Sequence, residues 1–119
     1  MTSPASALQP HIARVWRGRT ALDKADAYQR YLLEEGIPPL EKKGALGVQM
    51  FREDRDTETE FVTISYWPNV EAMAGGTGED PRRVHHLPRD AEFLVELPRS
   101  VQILHILETR GRCTVEARG

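Results

Sequence analysis

Residues 61–88 read FVTISYWPNVEAMAGGTGEDPRRVHHLP, and the reading of this stretch decides the fold. From Phe61 to Trp67 the side chains alternate. Phe61, Thr63, Ser65 and Trp67 share one face and Val62, Ile64 and Tyr66 the other, which is the period of a strand. Pro68 cannot donate to a ladder and stops it. Asn69 has the side chain of an N-cap, so a short helix to about Ala74 is expected. A glycine-rich turn over 75–80 follows, and then a loop that carries His85 and His86 side by side. A Trp at a strand end with imidazoles on a nearby loop is the equipment of a pocket for a flat ligand.

Working outward, the segment IARVWRGR over 12–19 alternates in the same way and reads as a first strand, with Ile12, Arg14 and Trp16 on one face. Thr20 is an N-cap candidate with Asp23 three residues on, which predicts a helix over 21–35. Its buried stripe is Ala21, Ala25, Tyr28, Leu32 and Leu33. Gly36 is placed to end that helix and Pro38-Pro39 to prevent its continuation, with one further turn over 40–43. ALGVQMFR over 45–52 reads as a second strand with Leu46, Val48 and Met50 on one face. EDRDTETE over 53–60 reads as a solvated hairpin loop. Residues 90–97 predict a second short helix, and 101–108 a fourth strand with Val101, Ile103, His105 and Leu107 on one face.

The order β-α-β-β-α-β is the ferredoxin-like arrangement, an α+β fold in which helices cover one face of a four-stranded antiparallel sheet. Strands two to four carry apolar residues on both faces, whereas a sheet open to water on one side alternates apolar with polar. The second face is therefore expected to be covered, most simply by a second copy of the chain, giving a homodimer through sheet faces.

The bulk numbers narrow the classes. A chain of 119 residues is one domain. Residues 1–10 are expected to be a disordered arm rather than a signal peptide, 11–108 the domain and 109–119 a tail. Formal charge is −2, from 16 basic and 18 acidic residues. That balance leaves no footprint for nucleic acid or an anionic membrane. No run approaches the roughly 20 apolar residues of a membrane span. Cys113 is the single cysteine, which excludes an intrachain disulfide or a cysteine metal cluster, and a cytoplasmic location is expected. Gly75, Gly76 and Gly78 do not form a phosphate loop, because no GxxxxGK[ST] is present.

With these residues on the page, the chain resembles the antibiotic biosynthesis monooxygenase-like proteins of the dimeric α/β-barrel superfamily. The resemblance rests on IARVWRGRT at the start, FVTISYWPNVEAM in the middle and GEDPRRVHHLPRDAEFLVELP towards the end. It implies a dimer whose two sheets pack face to face into a dimeric α/β barrel, and a ligand cavity between sheet and helices in each subunit. Haem-degrading relatives are similar in having a Trp at the end of the third strand, here Trp67, and a His beyond it, here His85 or His86. They also use an Asn on the first strand, and residues 12–17 contain none, so neither haem breakdown nor a cofactor is expected. Without an HExxH, and with a third ligand having to come from His11, His105 or a distant carboxylate, no metal is expected either.

Each candidate has two readings. Trp67 is either a core aromatic plugging the end of the sheet or a stacking wall. Of His85 and His86, neighbours in a loop, at most one is expected to face a cavity, as a general base; the competing reading is a surface loop histidine. Arg14 beside Trp16 either binds a carboxylate or phenolate in the pocket or pairs with a carboxylate of the second copy. Met50, Tyr28 and Phe93 read as core. The resulting expectation is a cofactor-independent monooxygenase-like enzyme for a small aromatic or polyketide-like molecule. His85 or His86 would be the base, and Trp67, Trp16 and Arg14 would bind the substrate. The alternative is a non-catalytic module that binds a small ligand or haem.

Overall fold

Ten residues of alternating, β-branched and aromatic character form β1 (Ile12–Ala21), the spine of the sheet. In the computed structural model, which describes residues 9–75 and 80–111, β1 lies between β3 (Glu58–Trp67) and β4 (Gln102–His105), and β2 (Gly47–Asp54) lies outside β3. The order β2-β3-β1-β4 is antiparallel throughout. The helical elements are α1 (Ala25–Tyr31), α2 (Ile37–Lys43), α3 (Val70–Ala74) and α4 (Asp90–Phe93). The ferredoxin-like α+β fold expected from the sequence is the observed one.

Pairing register sorts the side chains into faces, because directly opposed residues point the same way. On the helix-covered face the rows run Met50–Thr63–Trp16, then Val48–Ser65–Arg14–Ile103, then Trp67–Ile12–His105. On the other face they run Phe51–Val62–Arg17, then Gln49–Ile64–Val15–Gln102, then Tyr66–Ala13–Leu104.

The core under the helices comes in two pieces. The larger gathers Trp16, Tyr28, Tyr31, Leu32, Phe61 and Leu94. Tyr28 meets Phe61 edge-on at 5.4 Å and Phe93 at 5.2 Å. The smaller gathers Ile12, Trp67 and Met73, with Leu40, Val70 and Ile103 against them. The row bearing Arg14 and Ser65 runs between the two pieces.

Several boundaries differ from expectation. Thr20 does not cap a helix: it is fully buried at the end of β1 opposite Thr59, and its hydroxyl donates to the Ala21 carbonyl at 2.9 Å. Long-range pairing wins over the local cap, since Val95 N–H reaches the Arg19 carbonyl and Leu94 bridges to Thr20. The chain then makes a 3-10 turn (Leu22–Lys24) before α1. Tyr31, not Leu33, completes the buried stripe; Leu33 is 49% exposed.

Nor does the helix end at Gly36. A π-helical turn (Leu32–Gly36) follows α1 directly, with Ile37 N–H reaching back to the Leu32 carbonyl, and α2 continues from it. Pro38 and Pro39 fall in the first turn of α2, where their missing N–H groups cost least. The stop comes at Gly44, whose φ of 114° is the left-handed C-cap conformation.

Residues 53–60 are less solvated than their charge implied, because both strands run into them and Thr59 is fully buried. Asn69 does cap α3, its side-chain oxygen accepting from Ala72 N–H at 2.7 Å. The helix foreseen over 90–97 is a single turn, and β4 is four residues long. Residues 76–79, most of the arm, most of the tail and Cys113 lie outside the described residues.

Candidate functional site

Between the two core pieces the sheet and helices do not close. A cavity of about 260 Å³ remains. Its sheet wall is Arg14 and Trp16 from β1 with Thr63 and Trp67 from β3. Leu32, Gly36 and Leu40 line it from the helical run over 22–43, Lys43 stands at the end of α2, and Met73 comes from α3. The segment His85–His86–Leu87 and Asp90 complete it. The fully buried Trp67 and the nearly buried Met73 and Asp90 mark its depth; exposed His85, His86 and Lys43 mark its rim.

The structure brings all five residues singled out from sequence, Arg14, Trp16, Trp67, His85 and His86, to this one cavity. Trp67 meets the core reading and also borders the cavity. It is fully buried in the smaller core piece, its indole N–H donates to Ser65 Oγ at 2.9 Å, and one side of it lines the cavity. Trp16 is the corresponding wall on the larger piece. Its ring lies close along the strand over Gly18, so that a Cβ at Gly18 would come within 2.5 Å of it. Glycine in mid-strand is thus required by the approach of the indole.

The expectation that only one of the two histidines faces a cavity is corrected: both line it. The segment around them is irregular rather than extended in a ladder, and the cavity rim passes both. His85 also borders a small side alcove of about 20 Å³, shared with Arg14, Lys43, Arg83 and Asp80.

Arg14 is half-buried on the helix-covered face, in the row with Ser65. That face is the wrong one for a carboxylate reaching in across the open side of the sheet. Among the described residues no carboxylate pairs with it. Burial draws its guanidinium below the usual range, though an arginine remains cationic at neutral pH.

The histidine segment is held from the helix side by groups the sequence reading passed over. Tyr28 Oη donates to Asp90 Oδ1 at 2.9 Å, and Leu87 N–H donates to Asp90 Oδ2 at 2.9 Å. Arg89 N–H donates to Tyr31 Oη at 2.9 Å, and the Arg89 guanidinium sits 5.5 Å above the Tyr31 ring and 5.1 Å above that of Phe93. Asp90 is only 2% exposed, so these two donors replace water at its carboxylate. Burial first, and then the Asp90 carboxylate, push the Tyr28 phenol well above its ordinary range, so it stays protonated and acts as a fixed donor. A signal for Asp90 was present: an acid three residues after Leu87 is the reaching-back half of a capping box. Lys43 carried no signal beyond a basic residue in a last helical turn.

Fold and cavity together define a ferredoxin-like α+β protein with a ligand-sized pocket between its sheet and its helices. The solved structures it is similar to in fold include a Bacillus cereus protein described as a putative antibiotic biosynthesis monooxygenase. The match has a TM-score of 0.60 at 10% sequence identity and covers 87% of this chain and 99% of that one. At that identity the likeness is one of fold. No protein-family model and no curated protein matches the chain. No helix among the described residues is long and apolar enough to cross a membrane.

Proposed function

We propose that the protein is a cofactor-independent monooxygenase-like enzyme whose substrate is a small aromatic or polyketide-like molecule bound in the cavity between sheet and helices. The observation that carries this reading is the convergence of His85, His86, Trp67, Trp16 and Arg14 on one cavity. The indoles offer flat walls, the guanidinium offers a counter-charge to an acidic oxygen, and imidazole is the side chain that exchanges protons near neutral pH. In this reading a histidine removes a proton from an activated C–H, and the electron-rich carbanion reacts directly with oxygen. For a methylene the balance is CH₂ + O₂ → C=O + H₂O, with no external reductant.

A homodimer belongs to the same proposal. The face of the sheet away from the helices carries Phe51 at 46% and Leu104 at 44% exposure, in rows with Val62, Ile64 and Val15. A second copy laid on these rows would cover them, and sedimentation at micromolar concentration is expected to give a dimer. A monomer would contradict this part of the proposal.

The test of the chemistry is oxygen uptake in chelator-treated buffer with a panel of hydroxylated naphthalenes and tetralones. The double variant His85→Ala/His86→Ala is expected to lose uptake while keeping affinity for the same compounds. A parent protein that binds them and consumes no oxygen is a carrier, and the enzyme reading fails.

A further inference from the structure

The cavity is unbalanced in charge, and the imbalance identifies the ligand further. Arg14 and Lys43 both line the main cavity and its side alcove, and among the described residues neither has an ion-pair partner. The alcove wall carries Asp80, one oxygen of which accepts from Arg82 N–H and which makes no ion pair with Arg14 or Lys43 among the described residues. The acid on the main cavity wall is Asp90, and both of its oxygens are engaged, by Tyr28 Oη and by Leu87 N–H. It does not reach out to neutralise Arg14. A guanidinium held between two apolar core pieces without a counter-ion is costly. An arginine in that position is poised for an anion that arrives with the ligand.

Geometry narrows the anion. A guanidinium fork matches a planar two-oxygen group. The alcove of about 20 Å³ has room for roughly one water-sized group and carries Asp80 on its wall, so the anion is expected on the main-cavity side of Arg14. The main cavity, about 260 Å³, falls just under the roughly 300–1,000 Å³ of drug-sized sites. That suits one or two rings rather than the three or four of a large polyketide.

We propose that the cavity takes a flat aromatic carboxylate of one or two rings, its ring against Trp16 and Trp67, its carboxylate on Arg14, with Lys43 the second cation. The inference rests on the site assigned above but not on its oxygen chemistry.

The experiment is calorimetry on the full chain under argon with 2-naphthoate and its neutral isostere 2-naphthamide. The acid is expected to bind at least about tenfold more tightly, the low end for a charge-assisted hydrogen bond in a dry site. Arg14→Gln brings the acid down towards the level of the amide and weakens the amide, which loses only a neutral hydrogen bond there, by much less; amide binding also shows that the variant is folded. Lys43→Gln, at an exposed position, costs the acid a few-fold. Should Arg14→Gln not fold, Arg14→Lys takes its place, and the acid preference must shrink in it.

Equal affinity of acid and amide, a preference that survives at Arg14, or no binding of the acid at concentrations on the order of millimolar would each overturn the proposal. Oxygen is absent from these measurements, so the two readings fail separately. Acid preference without turnover sinks the monooxygenase and leaves the carboxylate site; turnover of neutral substrates without acid preference does the reverse.

Discussion

The helix-covered side of the sheet has a packed end and a hollow end, both built on β1 and β3. At the packed end, Phe61 is fully buried against Tyr28, with Phe93 and Tyr31 stacked behind it. At the hollow end the same two strands present Thr63 and Arg14, and a cavity of about 260 Å³ stands over them. The packed end fills its volume with rings. At the hollow end the positions between Trp16 and Trp67 carry shorter or polar side chains, and the π-helical turn falls in the helical run above them. Such turns occur often at functional sites, and here Leu32 and Gly36 of the turn line the cavity. A filled core and an open cavity thus stand on neighbouring stretches of one pair of strands.

Substitutions at the two ends are expected to behave differently. The largest effect belongs to Phe61→Ala, which empties a fully buried ring position and should cost about 3–5 kcal/mol in denaturant unfolding. A loss below about 1 kcal/mol would mean that the packed end is not the stabilising one.

Tyr28→Phe comes next. It leaves Asp90 Oδ1 without its donor, a loss of about 1–3 kcal/mol. It also changes the alkaline limb of stability. The folded state holds the Tyr28 proton well above the ordinary tyrosine range, so above about pH 10 the unfolded state binds fewer protons than the folded one and stability falls as pH rises. The contribution is fully present below about pH 10 and is lost above it. The gap between parent and Tyr28→Phe should therefore narrow from about pH 9 to about pH 11. A gap that stays constant would show that Tyr28 titrates normally.

The smallest effect on stability, and the most informative contrast, is Arg14→Met. Exchanging an unpaired half-buried cation for an apolar side chain of similar length should leave stability within about 1 kcal/mol of the parent, or raise it. A large destabilisation would place Arg14 among the structural residues and remove the contrast between the ends.

Much of this was legible in the sequence. Alternation located all four strands, the stop at Pro68 and the cap at Asn69 held, and the order of elements led to the observed topology. The helix was misread where local rules met tertiary demands. Thr20 has the side chain of a cap, but pairing with Thr59 and Leu94 keeps it in the sheet. Pro38-Pro39 reads as a stop, yet a π turn lets the helical run pass and still leaves both prolines in a first turn.

The five residues proposed for the site, singled out from type, face and a family resemblance, line one cavity. Their supports were not singled out in this way. Asp90 and Tyr31 matter through contacts across 62 and 58 positions of the chain, and nothing local in the sequence announces such pairings. The two histidines were expected to diverge as neighbours in a loop; in an irregular segment held at Leu87 and Arg89 both come to border the cavity.

The central claim is that the hollow end is a catalytic site, and one measurement addresses it most directly. Oxygen uptake and ligand affinity are to be read side by side for the parent and for His85→Ala/His86→Ala. The account predicts uptake by the parent, its loss by at least about a hundredfold in the variant, and affinity unchanged within a few-fold. Uptake that survives loss of both imidazoles, or a parent that binds its ligand and leaves oxygen untouched, would contradict it.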